Sequence, residues 1–314
     1  VKSSPSMKAY SKGKPSMSAV NDALSREDPV DLECLLLDSA TLDETQQYRS
    51  EGGQSPLHVA ATSKHHAPFL MRVLLEAGFD VNTRDDKGRT ALIALIDTVS
   101  DTVVVRSQVL ITHGVDINAV DDSGSTALVA AWRRAIRPRT LPDAEPLMHF
   151  LLDRGADPNV KLDDKRNTLL HDAVNHGNRH LINRLVMRHK ANANARNIYG
   201  ETPLHLAASN FGAGLSTIMT LLEAGEADPC VADDMGRTPL MLLCSLSFSG
   251  LPRIDALLEY VSEPKTLYID ARDKSNWSAL MHACNNIYGA TMALHLLNLG
   301  ANPCLKDKAG NTVL

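Results

Sequence analysis

The sequence predicts an all-helical solenoid of stacked helix-turn-helix units joined by β-hairpin-like fingers, and three observations predict it. A short theme recurs along the chain as Ser55-Pro56-Leu57-His58, Thr90-Ala91-Leu92, Thr126-Ala127-Leu128, Thr168-Leu169-Leu170-His171, Thr202-Pro203-Leu204-His205, Thr238-Pro239-Leu240 and Ser278-Ala279-Leu280-Met281-His282, with a further copy at Thr312-Val313-Leu314. Successive starts lie 35, 36, 42, 34, 36, 40 and 34 residues apart, and a period in the thirties marks stacked helical repeats. Apolar pairs such as Leu74-Leu75, Leu151-Leu152, Leu221-Leu222 and Leu296-Leu297 are each followed closely by glycine. Aromatic residues make up only 4% of the chain, as helix stacks filled with Leu and Ala allow.

The elements follow in order. Residues 1–18 carry Lys2, Lys8, Lys12 and Lys14 with no acid, among Ser, Pro and Gly, and read as a flexible basic tail. Residues 19–50 contain two apolar stretches separated by Asp28-Pro29 and read as a degenerate capping repeat, the usual start of such arrays. Residues 51–314 hold the repeats. In each theme Ser or Thr is an N-cap, and Pro at the next position suits the first helical residue, whose N–H has no partner in any case. Gly78, Gly114, Gly155, Gly225 and Gly300 are the predicted left-handed residues that stop the second helices.

From these glycines to the next theme the count is 12, 12, 13, 13 and 12 residues, so the connecting finger is nearly invariant. Length variation falls on the helical side, most simply in the turn between the two helices. A lone helix pair cannot bury its apolar stripe, so each unit must stack on its neighbours. The predicted product is a rod with a curved face and no deep pocket. The last unit is cut off within its first helix, which reads as a fragment of a longer protein.

The content of the units resembles the ankyrin repeat. The resemblance is plainest from Asn197 to Asp228, where Gly200, Thr202-Pro203-Leu204-His205-Leu206-Ala207-Ala208, Leu221-Leu222 and Gly225 stand in family order. It covers about Ala19 to Leu314, with Arg166 and Asn276 replacing the finger glycine and Lys190 replacing a helix-stop glycine. The stretch from Tyr260 through Pro264 to Ile269 lacks Gly-Ala-Asp and is expected to bend or bulge the stack. The resemblance implies a protein-binding array that works through finger tips and the inner face of the first helices.

Catalytic chemistry finds no foothold in the chain. There is no Walker phosphate loop, no G-x-S-x-G elbow and no H-E-x-x-H zinc helix, and those patterns carry the commonest phosphate, acyl and metal chemistries. No cofactor, metal or catalytic residue is expected. The theme histidines His58, His171, His205 and His282 recur with the repeat and are expected to bond nearby backbone. The doublets Asp85-Asp86, Asp121-Asp122, Asp163-Asp164 and Asp233-Asp234 each lie on a different finger, so they read as a turn-forming Asp followed by an exposed one.

A net charge of −5 is a poor match to nucleic acid, whose binding depends on neutralised phosphates. No run approaches the roughly 18 apolar residues of a membrane span. Five cysteines without a C-x-x-C pair favour reduced thiols and a cytoplasmic or nuclear location. The array is expected to be monomeric and to bind another protein or peptide.

Two candidate surfaces follow. A ladder of Tyr199, Met235 and Trp277 beside Arg196, Arg237 and Arg272 brings forward the residue types that concentrate interface energy, although Trp277 and Tyr199 could equally pack within the stack. The second is the cluster Arg133, Arg134, Arg137 and Arg139 in the longest insertion, either a solvated loop or a dock for an acidic segment or a phosphate. The expected function is a non-catalytic scaffold or adaptor. The alternatives are the substrate-recognition part of a ubiquitin ligase, with a SOCS-box or F-box module downstream, and the regulatory arm of an enzyme or channel.

Overall fold

In the computed structural model, the described residues are 49–313, apart from 51, 65, 99–101, 136–143, 211–213, 246–249, 263 and 288. The predicted basic tail, nearly all of the capping repeat, and Arg137 and Arg139 lie outside them. The chain divides into two compact units, Val1–Asp157 and Pro158–Leu314.

In the first unit three helix pairs follow one another: α1 (Pro56–Thr62) with α2 (Ala67–Glu76), α3 (Ala91–Thr98) with α4 (Val103–Thr112), and α5 (Ala127–Ala135) with α6 (Ala144–Asp153). The first helices α1, α3 and α5 stack in one row and the second helices α2, α4 and α6 in another. Burial explains the stacking: Leu57, Leu70, Met71 and Leu74 of the first pair and Leu92, Leu95 and Leu110 of the second are fully buried. Each such side chain contributes about 1.5–3 kcal/mol by leaving water.

The second unit contains α7 (Leu169–Asn175), α8 (Arg179–Asn183) continued by a π turn (Arg184–Arg188), α9 (Pro203–Ser209), α10 (Leu215–Glu223), α11 (Pro239–Cys244), α12 (Leu251–Glu259), the short α13 (Lys265–Ile269), α14 (Ala279–Cys284) and α15 (Ala290–Asn298). Here α7, α9, α11 and α14 form the first row, and α8, α10 and α12 the second. Among the described residues no strand occurs, and the fingers are tight turns with one isolated antiparallel bridge, Arg84 with Thr90.

The theme histidines explain why the first helices start where they do. The N–H and hydroxyl of Thr168 meet Nδ1 of His171 at 3.2 and 2.8 Å, and Nε2 of the same ring meets the Glu201 carbonyl of the next finger at 3.1 Å. Ser55 with His58 and Arg89, and Thr202 with His205 and Arg237, repeat the arrangement. Because a backbone N–H donates to Nδ1, that nitrogen is unprotonated and Nε2 carries the hydrogen. His282 departs from the expectation. Ser278 caps the N–H of Met281 instead, because this copy of the theme places its histidine one residue later. The ring of His282 meets the Asp273 carboxylate at 3.0 Å.

The helix stops also correct the sequence reading. At Gly78 the ordinary stop holds: the chain is left-handed there with φ 90°, and Phe79 N–H donates to the Leu74 carbonyl. Gly225 has no positive φ, and the left-handed residue is Glu226 at φ 53°. One extra residue widens the closing bond, so that Ala227 N–H reaches back to the Leu221 carbonyl. Lys190, at φ 52°, ends its helix the same way, with Ala191 N–H on the Leu185 carbonyl beyond the π turn. Some length variation therefore sits at the end of the second helix as well as in the turn between helices. The stretch without Gly-Ala-Asp forms α13, whose Tyr268 and Ile269 are buried.

Candidate functional site

The site is built on the fingers of the second unit. In each, one Asx side chain folds the turn on itself: Oδ1 of Asn197 accepts the N–H groups of Tyr199 and Glu201 at 2.9 and 3.0 Å. Oδ1 of Asp233 accepts those of Met235 and Arg237 at 2.8 Å, and Oδ1 of Asp273 those of Ser275 and Trp277 at 2.8 and 2.9 Å. The inward acid of the doublet is thus consumed by its own turn. In the first unit, burial raises the Asp85 carboxyl, but hydrogen bonds from Arg89 and from backbone N–H groups outweigh this and hold it below the ordinary carboxylate value. The outward acids Asp86, Asp122, Asp164 and Asp234 are exposed.

The finger tips bond to one another. Ile198 N–H donates to the Lys165 carbonyl, Asp234 N–H to the Tyr199 carbonyl and Lys274 N–H to the Met235 carbonyl, each at 2.9 Å, and Lys308 N–H reaches the Ser275 carbonyl at 3.3 Å. These bonds fix the register of the row as Lys165, Tyr199, Met235, Ser275. Tyr199 and Met235 occupy adjacent rungs and are 50% and 55% exposed, and Ile198 beside them is 45% exposed.

Trp277, expected as the third rung, is two residues out of register, in the slot that Glu201 and Arg237 fill on their fingers. It is half-buried, with its ring edge-on to His282 at 5.2 Å. The physical reason is a vacated partner. Where Arg237 pairs with Asp233 at 2.7 Å, Trp277 offers no cation, and Asp273 turns to His282 instead.

The arginines are divided by the same geometry. Arg196 is exposed but engaged, with Nη1 on the Ala232 carbonyl at 2.9 Å and Nη2 on the Asp234 carboxylate at 3.2 Å. Arg237 is held by Asp233, whereas Arg272 is exposed. Arg133 is exposed, with Nη1 3.2 Å from the Ser125 hydroxyl. Arg134 is buried and does not stand with Arg133 on the surface: its Nη1 donates to the Ile96 carbonyl at 3.2 Å. Carbonyls at a helix end lack intrahelical partners, and Arg134 supplies one. Arg106 does the same for the Ala61 carbonyl at 3.1 Å, and Asn210 for that of Asn175 at 2.7 Å. Sequence reasoning missed these clamps, because nothing in the spacing of a single Arg or Asn distinguishes them from surface residues.

A shallow groove lies between the fingers and the first helices of this unit, lined among others by Lys165, Asn175, Tyr199, Glu201 and Leu206. Among the described residues no helix is long and apolar enough to cross a membrane. The groove and the finger tips offer exposed side chains for contact.

Comparison with known proteins agrees with this geometry. A family model described as ankyrin repeats (3 copies) matches residues 57–137 and 142–233. The chain is 27% identical over 262 residues to the E3 ubiquitin-protein ligase KEG of Arabidopsis thaliana, covering 72% of this chain and 16% of that protein. It is 30% identical over 173 residues to the neurogenic locus notch homolog protein 1 of Danio rerio, covering 55% and 7%. With the human B-cell lymphoma 3 protein the identity is 33% over 159 residues, covering 49% and 34%. The chain thus spans only a small part of the length of these relatives. The crystal structure of the ankyrin repeat domain of Bcl-3 superposes with a TM-score of 0.57 at 24% identity, covering 76% of this chain and 97% of that one.

Proposed function

This chain belongs to the ankyrin-repeat family, and on that premise we propose that it is a non-catalytic scaffold or adaptor that recognises a partner protein through the fingers and groove of residues 158–314. Ankyrin repeats are an interaction fold without catalytic machinery of their own. The observation that supports this particular surface is the pair Tyr199 and Met235, exposed on adjacent, hydrogen-bonded finger tips. Large side chains of these types carry interface energy when a partner covers them, and neither is needed to fill the core. Arg196 reaches from the Tyr199 finger to that of Met235, Arg272 is exposed on the following finger, and Arg237 and Trp277 support their own fingers. Arg133 is a separate exposed cation in the first unit. The free thiols of Cys230, Cys244, Cys284 and Cys304 suit a reducing compartment, cytoplasm or nucleus.

The test is quantitative capture of partners by the wild-type chain and by a Tyr199→Ala, Met235→Ala variant, with circular dichroism on both. The reading predicts loss of specific partners at unchanged helical content. Equal capture by a folded variant would move recognition elsewhere. The resemblance to the plant ligase supports a second reading, a substrate-recognition array within a ubiquitin ligase. An interaction screen in which the captured proteins include no ubiquitin-conjugating or ligase component would sink that version alone.

A further inference from the structure

We propose that the finger-tip row of the second unit binds an extended peptide segment that carries apolar side chains between two acidic residues. This rests on the reading above and specifies the chemistry of the partner. The row begins at Lys165, runs through Tyr199 and Met235, and ends at the Lys274 finger, with one backbone hydrogen bond of 2.9 Å at each step. The middle is apolar, with Ile198, Tyr199 and Met235 all exposed. Both ends are cationic: Lys165 and Arg166 are exposed on one side, Arg272 and Lys274 on the other.

Most carboxylates nearby are already engaged, Glu201 with the Asn197 amide at 3.0 Å. Asp233 is paired with Arg237 and Asp234 with Arg196, and Asp273 faces His282. Asp163 accepts the N–H of Asn167 within its own turn. Among the described residues of these tips Asp164 is the exposed acid without such a tie, and it sits beside Lys165 and Arg166, which outnumber it. The fingers of the first unit differ: Asp86 and Asp122 are both exposed there beside the exposed Arg84 and Lys87, and the tip residues after Asp122 are Ser123 and Gly124, with no apolar pair between cationic ends.

Spacing narrows the partner further. Packed helices lie about 9 Å apart, so three steps from Lys165 to Lys274 span about 27 Å. An extended chain advances about 3.3 Å per residue. Two acidic residues about eight positions apart, with apolar side chains at roughly the third and sixth steps between them, match the row.

The experiment is selection of twelve-residue peptides from a random display library against the whole chain, followed by fluorescence titration of the selected peptides. The expected result is enrichment of acid-flanked apolar sequences with that spacing. Their binding should weaken about tenfold in Lys165→Glu, Lys274→Glu and in Tyr199→Ala, Met235→Ala. The charge-reversed variant should in turn prefer peptides with Lys in place of the acids. Peptides that lose affinity with the Tyr199, Met235 variant but ignore the charge reversal would overturn the acidic-partner inference and leave the proposed surface standing. No selected binder, or binders indifferent to both variants, would overturn both.

Discussion

Lowering the pH from 7.5 to 5 should destabilise the array through its theme histidines, His171 above all. Its ring is fully buried. Burial pushes its pKa down from the ordinary 6.5 to about 4, against a raising contribution from the Glu201 carbonyl. His58 and His205 are lowered in the same direction for the same first reason. The geometry gives the molecular cause: a proton on Nδ1 would displace the hydrogen bonds from the Thr168 N–H and hydroxyl. With the folded pKa below the unfolded one, the unfolded chain binds the extra proton first. Stability is therefore complete above about pH 6.5 and falls as the pH drops from there towards 4. The difference between 6.5 and about 4 corresponds to at most about 3 kcal/mol for His171, and about 2 kcal/mol of it is lost by pH 5. Urea unfolding at several pH values, with the His171 ring followed by NMR, measures both quantities. A His171 pKa of 6 or higher in the folded protein, or an unfolding midpoint constant between pH 7 and 5, would refute the reasoning.

Four further outcomes are expected. Thr90 has a buried hydroxyl with no hydrogen-bond partner, and Ile93 stands where the Ser55, Thr168 and Thr202 themes place histidine; Ile93→His should supply that partner and raise stability by about 1 kcal/mol, read from urea midpoints. Lys190→Gly and Glu226→Gly each relieve a left-handed backbone and should add about 1 kcal/mol, whereas a lowered melting temperature would show that their side chains carry the helix end. Arg134→Ala removes a buried clamp on the Ile96 carbonyl and should cost about 2 kcal/mol in thermal unfolding, while Arg133→Ala should change little. Trp277→Ala should cost about 2 kcal/mol because its ring packs on His282, and Tyr199→Ala should stay within about 0.5 kcal/mol; equal costs in denaturant titration would contradict the division between packing and exposed residues.

The repeat, the caps and the row of inward acids were legible in the sequence because each depends on local chemistry. A Thr three residues before a His, or an Asp two and four residues before the N–H groups it accepts, specifies its own geometry. Register between fingers was not legible for Trp277, because its neighbour across the stack is set by a backbone bond from Lys274 to Met235. A glycine at Gly225 was read as the helix stop because the residue type fits. The extra residue in that helix end moved the left-handed position to Glu226, which no propensity favours. Arg134 looked like part of a basic loop in sequence, and only the position of the preceding helix end shows that it is consumed inside. Tyr199 and Met235 were identifiable as tip residues, although their common row with Lys165 and Ser275 needed the structure.

One column of the fingers decides how firmly each unit holds the next. Asn82 accepts Asp116 N–H at 2.7 Å and its amide points to the Gly114 carbonyl; Asn118 takes Asp157 N–H and the Gly155 carbonyl, and Asn194 takes Asp228 N–H and the Glu226 carbonyl. Each carboxamide closes both halves of a joint. In the same column Asp270 accepts Asn302 N–H at 2.9 Å but has no N–H to return, and Cys230 occupies the slot ahead of the unit that ends in α13. The Asp270 joint is therefore one-sided, and a Cys230 thiol cannot close both halves as the carboxamides of Asn82, Asn118 and Asn194 do. In a linear array whose stability is a sum of repeat and nearest-neighbour terms, hydrogen exchange should lose protection first beyond Cys230, so that the Met235 tip lies on the weakly joined side of that slot and the Tyr199 tip just before it.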